Sequence, residues 1–155
     1  MFGFGKEYKE QADKIGIGLH EQIIDAMKVN EKLAEAKMET YFFVGYINGF
    51  VSSGFVALSV PRKQKVINKY VKYILLESLV CNFQPRIWDA YSRQRKYLDA
   101  GEFFLGNPLD GDVLTGIVVG QWDGLNLFSS LEIASKTNLK SYLLDKELDY
   151  KELDL

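Results

Sequence analysis

A chain of 155 residues with 47% hydrophobic and 26% charged residues and a formal net charge of −2 has the material for one globular domain, which excludes an intrinsically disordered chain. A single cysteine, Cys81, excludes an internal disulfide, and a single histidine, His20, excludes any mechanism that needs two imidazoles. The N-terminus lacks a basic segment followed by an apolar run, and Cys81 sits in an apolar stretch as a small hydrophobe; together they predict a cytoplasmic protein.

Prolines occur only at 61, 85 and 108, which favours long helices with few breaks. The expected fold is all-α, a compact bundle of about five to six helices with glycine-notched central helices. Residues 1–144 form the helical domain and residues 145–155 an acidic, exposed C-terminal tail. The alternative is α+β, with hairpins at Asn48-Gly49 and Asp123-Gly124.

From Lys6 to Asn30, Tyr8, Ala12, Ile15, Leu19, Ile23 and Ala26 recur at steps of three and four and trace one helical face. Gly16 and Gly18 weaken that helix unless a neighbour packs closely on it. A second helix is expected over residues 31–60, opening on strong helix formers and continuing one face through Phe43, Ile47, Phe50, Gly54 and Leu58. Asn48-Gly49 competes as a type I′ turn, but the helix formers run into it with no breaker. Residues 40–60 carry no charge, yet Asn48, several serines, two tyrosines and three glycines dilute them below a membrane span; the reading is a buried helix.

Pro61 is placed to open a third helix. Val66, Ile67, Tyr70, Val71, Ile74 and Ser78 share one side of it, with Arg62, Lys65, Lys69 and Lys72 opposite. Pro85 opens a fourth, with Ile87, Tyr91 and Leu98 on one face, Arg86, Asp89, Arg93 and Lys96 on another, and Gly101 at its end. Residues 101–112 read as a long loop and Asp112 as the N-cap of the next element. Gly116, Gly120 and Gly124 then recur every four residues, a smooth groove if the segment is helical. A helix over residues 129–144 precedes the tail.

Charge is the most informative functional feature. Residues 61–97 hold nine Lys and Arg against only Glu77 and Asp89, whereas the chain from residue 98 onward is strongly acidic. A basic helical face with aromatic neighbours can grip an acidic partner. Catalytic patterns fail one by one. His20-Glu21-Gln22-Ile23-Ile24 places Ile24 where a second zinc ligand belongs, Gly49–Gly54 is not a nucleophile elbow, and no phosphate-cradling glycine run ends in Lys. Asn107, Asp110 and Asp112 resemble part of a calcium loop, but Val118 occupies the bidentate glutamate position. Glu31, Glu35 and Glu39 form an i, i+4, i+8 ladder, expected to be a salt-bridged surface face.

The functional expectation is therefore a non-enzymatic helical protein, without metal or cofactor, that binds and regulates another macromolecule. The partner is expected to be a protein, met by Arg62, Lys65, Lys69, Lys72, Arg93 and Lys96. Gly45, Gly49, Phe50, Gly116, Gly120 and Gly124 are assigned to helix packing or to a homodimer interface. One alternative is nucleic-acid binding by the same face of residues 62–96. A second is a small-molecule or enzymatic cleft near residues 101–123, with Asp110, Asp112, Gln121, Trp122 and Asp123 converging.

Overall fold

The computed structural model describes residues 2–58, 64–78, 85–99, 110–129 and 138–151. The order is α1 (Phe2–Met38), α2 (Tyr41–Ala57), α3 (Gln64–Lys72) running into a π-helical turn (Tyr73–Glu77), α4 (Pro85–Asp99), α5 (Asp110–Phe128) and α6 (Asn138–Leu143). The described residues contain no strand, so the fold is an all-α bundle and both hairpin alternatives fall away. Asn48-Gly49 lies within α2 and Asp123-Gly124 within α5. No helix among the described residues is long and apolar enough to cross a membrane.

The predicted α1 face is the core face: Ala12, Ile15, Leu19, Ile23 and Ala26 are all fully buried. The helix breaks where a second helix is expected to start. Asn30 leaves helical geometry (φ −154°, ψ 91°), and its side-chain oxygen accepts from Leu33 N at 3.1 Å, restarting the helix as an N-cap. That second segment ends at Met38 rather than running to residue 60. Thr40 separates it from α2, with an extended backbone and a side-chain oxygen that accepts from Phe43 N at 3.3 Å. The same hydroxyl donates to Lys37 O at 2.7 Å and lies 2.8 Å from the Tyr142 hydroxyl. Thr40→Ala removes the cap and a tie to α6, and is expected to cost about 1–2 kcal/mol in a urea melt.

α2 is the centre of the domain. Phe42 to Ile47, Gly49 to Val51 and Ser53 to Phe55 are all buried, because α1, α3, α4 and α5 each pack on it. Its main neighbour is α5, which runs parallel to it. Gly45 faces Val113 and Ile117, Gly49 faces Ile117, Gly116 faces Phe42 and Tyr46, Gly120 faces Tyr46 and Phe50, and Gly124 faces Phe50 and Ser53. In four of these five the first atom that an added methyl group would meet is a backbone carbonyl oxygen of the other helix, so the two backbones approach where any side chain would intervene. Phe50 is fully buried and stacks on Tyr46 with centroids 5.6 Å apart. These glycines and Phe50 thus face the interior of one chain and are not displayed to a second copy.

Other elements adjust the expected boundaries. On α3 and its π-helical continuation, Ile67, Tyr70, Val71, Ile74 and Ser78 are buried, as the periodicity predicts. On α4 so are Ile87 and Tyr91. Pro85 is the first residue of α4, while Pro61, Arg62, Cys81, Gly101 and Asn107 lie outside the described residues. α5 begins at Asp110, so Asp112 sits in its first turn and is not the N-cap. Of the helix expected over 129–144, the described part is α6, six residues long.

α6 ends in a Schellman-type reversal: Lys146 N donates to Ser141 O at 2.7 Å and Asp145 N to Tyr142 O at 3.0 Å. Asp145 takes the left-handed position (φ 56°) and pairs with Lys37 at 3.1 Å. The chain then runs back along the bundle without regular structure. Through Lys151 the expected free tail is anchored, with Leu148 and Tyr150 packed against the core.

Candidate functional site: a buried polar network and a cationic groove

Two polar constructions stand out among the described residues. The first centres on Asp123, which is fully buried and is the one charged residue in α5 after its first turn. Its Oδ2 accepts from the Tyr46 hydroxyl at 2.6 Å and from Asn138 N at 2.5 Å, while Oδ1 accepts from Asn138 Nδ2 at 2.8 Å. Gln22 completes the set. Its Nε2 donates to the Tyr46 hydroxyl at 3.4 Å, and its Oε1 accepts from Leu139 N at 3.1 Å and Lys140 N at 3.4 Å.

The chemistry of this network is structural. Helix α6 opens with backbone N–H groups that have no intrahelical acceptor, and Asp123 and Gln22 supply acceptors for three of them. Asn138 passes the linkage outward: its amide donates to Asp149 O at 2.9 Å and accepts from Asp149 N at 2.6 Å, as a neighbouring peptide group would. Asp123 thereby connects the α2–α5 core, α6 and the C-terminal segment. Burial raises its carboxyl to about 6, against the opposing pull of the Tyr46 and Asn138 donors. The Tyr46 hydroxyl is raised well above its ordinary value, first by burial and then by the Asp123 charge.

The second construction is a groove of about 210 Å³ between α3 and α4, lined by Asn68, Val71, Lys72, Trp88, Tyr91 and Arg95. Trp88 and Tyr91 lie with ring centroids 5.7 Å apart. Behind it, Asn48 of α2 donates from Nδ2 to Val44 O at 2.9 Å and to the Tyr91 hydroxyl at 3.0 Å. Arg95 in turn donates to Asn48 Oδ1 at 3.1 Å. A residue read from sequence as half of a turn signal therefore sits on a central helix and positions a groove-lining cation.

The cationic set expected from the sequence divides in two. Arg86 pairs with Glu31 at 2.8 Å and with Glu35, and Arg93 pairs with Glu39 at 3.0 Å. The glutamate ladder of α1 is thus met across the bundle by α4 arginines, not by lysines of its own helix, and Arg93 is engaged inside the chain. Lys69, Lys72 and Lys96 are exposed, and among the described residues none of them forms an ion pair. Lys69 lies over the Tyr70 ring, 5.7 Å from its centroid. Lys65 lies on α3, and Arg62 is outside the described residues.

Several other expectations meet a different arrangement. Asp112 is exposed, eleven positions and about 16 Å of helix rise from buried Asp123, while Gln121 and Trp122 are half-buried. Asp112 and Asp123 are therefore not brought together; residues 101–109 lie outside the described residues. Glu147 and Asp149 line a cleft of about 530 Å³ with Glu21 and Asp25 of α1. Gln22, Tyr46 and Asn138 went unrecognised as a set, although a lone acid in the otherwise uncharged run 113–128 was a legible sign that Asp123 needs buried donors. No protein-family model, no curated protein and no solved structure matches this chain.

Proposed function

We propose that the protein is a non-enzymatic helical binding protein that regulates another macromolecule, a protein with an acidic surface, which it meets on the α3–α4 side. One observation carries the reading. The α1 glutamates take Arg86 and Arg93, and they leave Lys69, Lys72 and Lys96 exposed without a carboxylate among the described residues. Surface cations of one sign favour encounter with an opposite charge, and half-buried Trp88 offers apolar contact once it is made.

The test is affinity capture with the wild-type chain and with the triple reversal Lys69→Glu, Lys72→Glu and Lys96→Glu. The expected result is a protein of acidic surface that is retained by the wild type, lost with the reversal and weakened by salt. An unchanged captured set would overturn the proposal. Loss of the captured set on nuclease treatment would assign the face to nucleic acid instead.

A further inference from the structure

We infer that the acidic surface met by the α3–α4 lysines belongs to a second copy of this chain, at the cleft between α1 and the C-terminal segment. The inference rests on the cationic-face reading above and names its partner. The cleft holds about 530 Å³ and is lined by Glu21 and Asp25 of α1, by Glu147 and Asp149 after α6, and by one cation, Lys140. The four acidic residues are exposed, and among the described residues none of them forms an ion pair. Four carboxylates against one ammonium leave three negative charges at this one place, in a chain whose net charge is −2. Gathering like charges around one hollow raises a local potential that an incoming cation relieves.

The two faces match in spacing as well as in sign. Lys69 and Lys72 stand one helical turn apart on α3, as Glu21 and Asp25 do on α1, so the Cβ atoms of each pair are about 5–6 Å apart. Leu127 also lines the cleft and is 41% exposed, an apolar wall for the methylene stem of a lysine. Within one chain the two sets do not meet: among the described residues no ion pair joins Lys69, Lys72 or Lys96 to a carboxylate of the cleft. The lysines stand on α3 and α4, whereas the cleft is built from α1, α5, α6 and the segment after it. One copy therefore engages through one face while its other face stays free. Contact between unlike patches either continues from copy to copy or closes into a ring. Exposed ion pairs are weak one at a time and are screened by salt, so the association belongs to low ionic strength and high protein concentration.

Sedimentation velocity of the full chain over a range of concentrations reads the association, at low and at high ionic strength. The expected result is a mass that rises with concentration at low ionic strength and returns to that of the monomer in high salt. The triple reversal Lys69→Glu, Lys72→Glu and Lys96→Glu should weaken the association about tenfold or more, and so should Glu21→Lys with Asp25→Lys. Mixing the two reversed chains should restore it, because the acidic cleft of the first then meets the lysines of the second. Circular dichroism checks that each variant is folded. Glu147→Lys with Asp149→Lys reverses the same cleft from its other wall and serves if the α1 pair does not fold. A wild type that stays monomeric at every concentration would overturn the second copy as partner. So would association that either reversal leaves unchanged, or that mixing does not restore. A monomeric wild type that still captures an acidic protein through its lysines would overturn the second copy alone and leave the cationic face standing.

Discussion

Asp123→Ala is expected to destabilise the folded chain by about 3–5 kcal/mol, a large share of the total stability of a domain this size. The substitution leaves the Tyr46 hydroxyl, the Asn138 N–H and the Asn138 side-chain amide without their acceptor in a buried site. The loss should spread along the network. Because Asn138 also brackets Asp149, the segment through Lys151 should lose protection from proteolysis and amide exchange more than the α1–α2 contact does. Equal loss of protection everywhere would contradict this coupling.

The same carboxylate gives stability a dependence on pH. Its folded value of about 6 lies above the ordinary 3.8, so between those values the folded state holds a proton that the unfolded state has released. The contribution of Asp123 is therefore greatest below about pH 4, falls as pH rises through about 6, and is flat above. The fall amounts to something on the order of 3 kcal/mol. Asp123→Asn lacks the titration, though its amide sets an N–H against donors of Asn138. The stability of the wild type relative to Asp123→Asn, from urea melts at pH 4 and pH 7, should decline toward pH 7. A difference that does not change with pH would sink the assignment.

Gly49→Ala and Gly120→Ala are each expected to cost about 3 kcal/mol or more, although alanine is the better helix former by about 1 kcal/mol. The added methyl of the first meets the Ile117 carbonyl group, and that of the second the Tyr46 carbonyl and Phe50 N. These are backbone atoms of a neighbouring helix, and they move only if α2 and α5 separate along their shared length. Gly18→Ala is the control. Its methyl meets the ends of the Leu127, Phe128 and Phe50 side chains, and Leu127 is 41% exposed and able to turn away. Its effect should stay within about 1 kcal/mol of zero, where helix propensity offsets a mild clash. Similar losses at all three positions in guanidinium melts would mean that close backbone approach is not what the glycines provide.

Much of the fold was legible in the residues. The α1 face was, because Ala12 to Ala26 keep a spacing that only a helix places on one side. The centrality of α2 was too, since a helix apolar on most sides has to be surrounded. Its start was not. The helix formers of residues 32–39 pointed to continuity, and Thr40 stopped them by taking an extended conformation that is stabilised partly by Tyr142, far along the chain. The candidate site was less legible still. Arg86 and Arg93 carry the same charge and helical setting as Lys96, and nothing in their neighbours announces that Glu31, Glu35 and Glu39 will sit opposite the two arginines.

What the sequence by itself determined is a mostly helical chain with glycine-rich segments that need a close neighbour or a turn, one histidine and one cysteine, and a positive middle followed by an acidic end. These follow from period, composition and count, which are local or additive properties. Only the tertiary structure decided that the glycine notches of α2 and α5 fit each other in parallel. It alone joined Tyr46 to Asp123 across 77 positions and Gln22 to Leu139 across 117, and sorted the cations into bundle-holding arginines and exposed lysines. The reason is that a buried polar group must find partners, but its own sequence neighbourhood sets only that need and not which distant donor or acceptor will meet it.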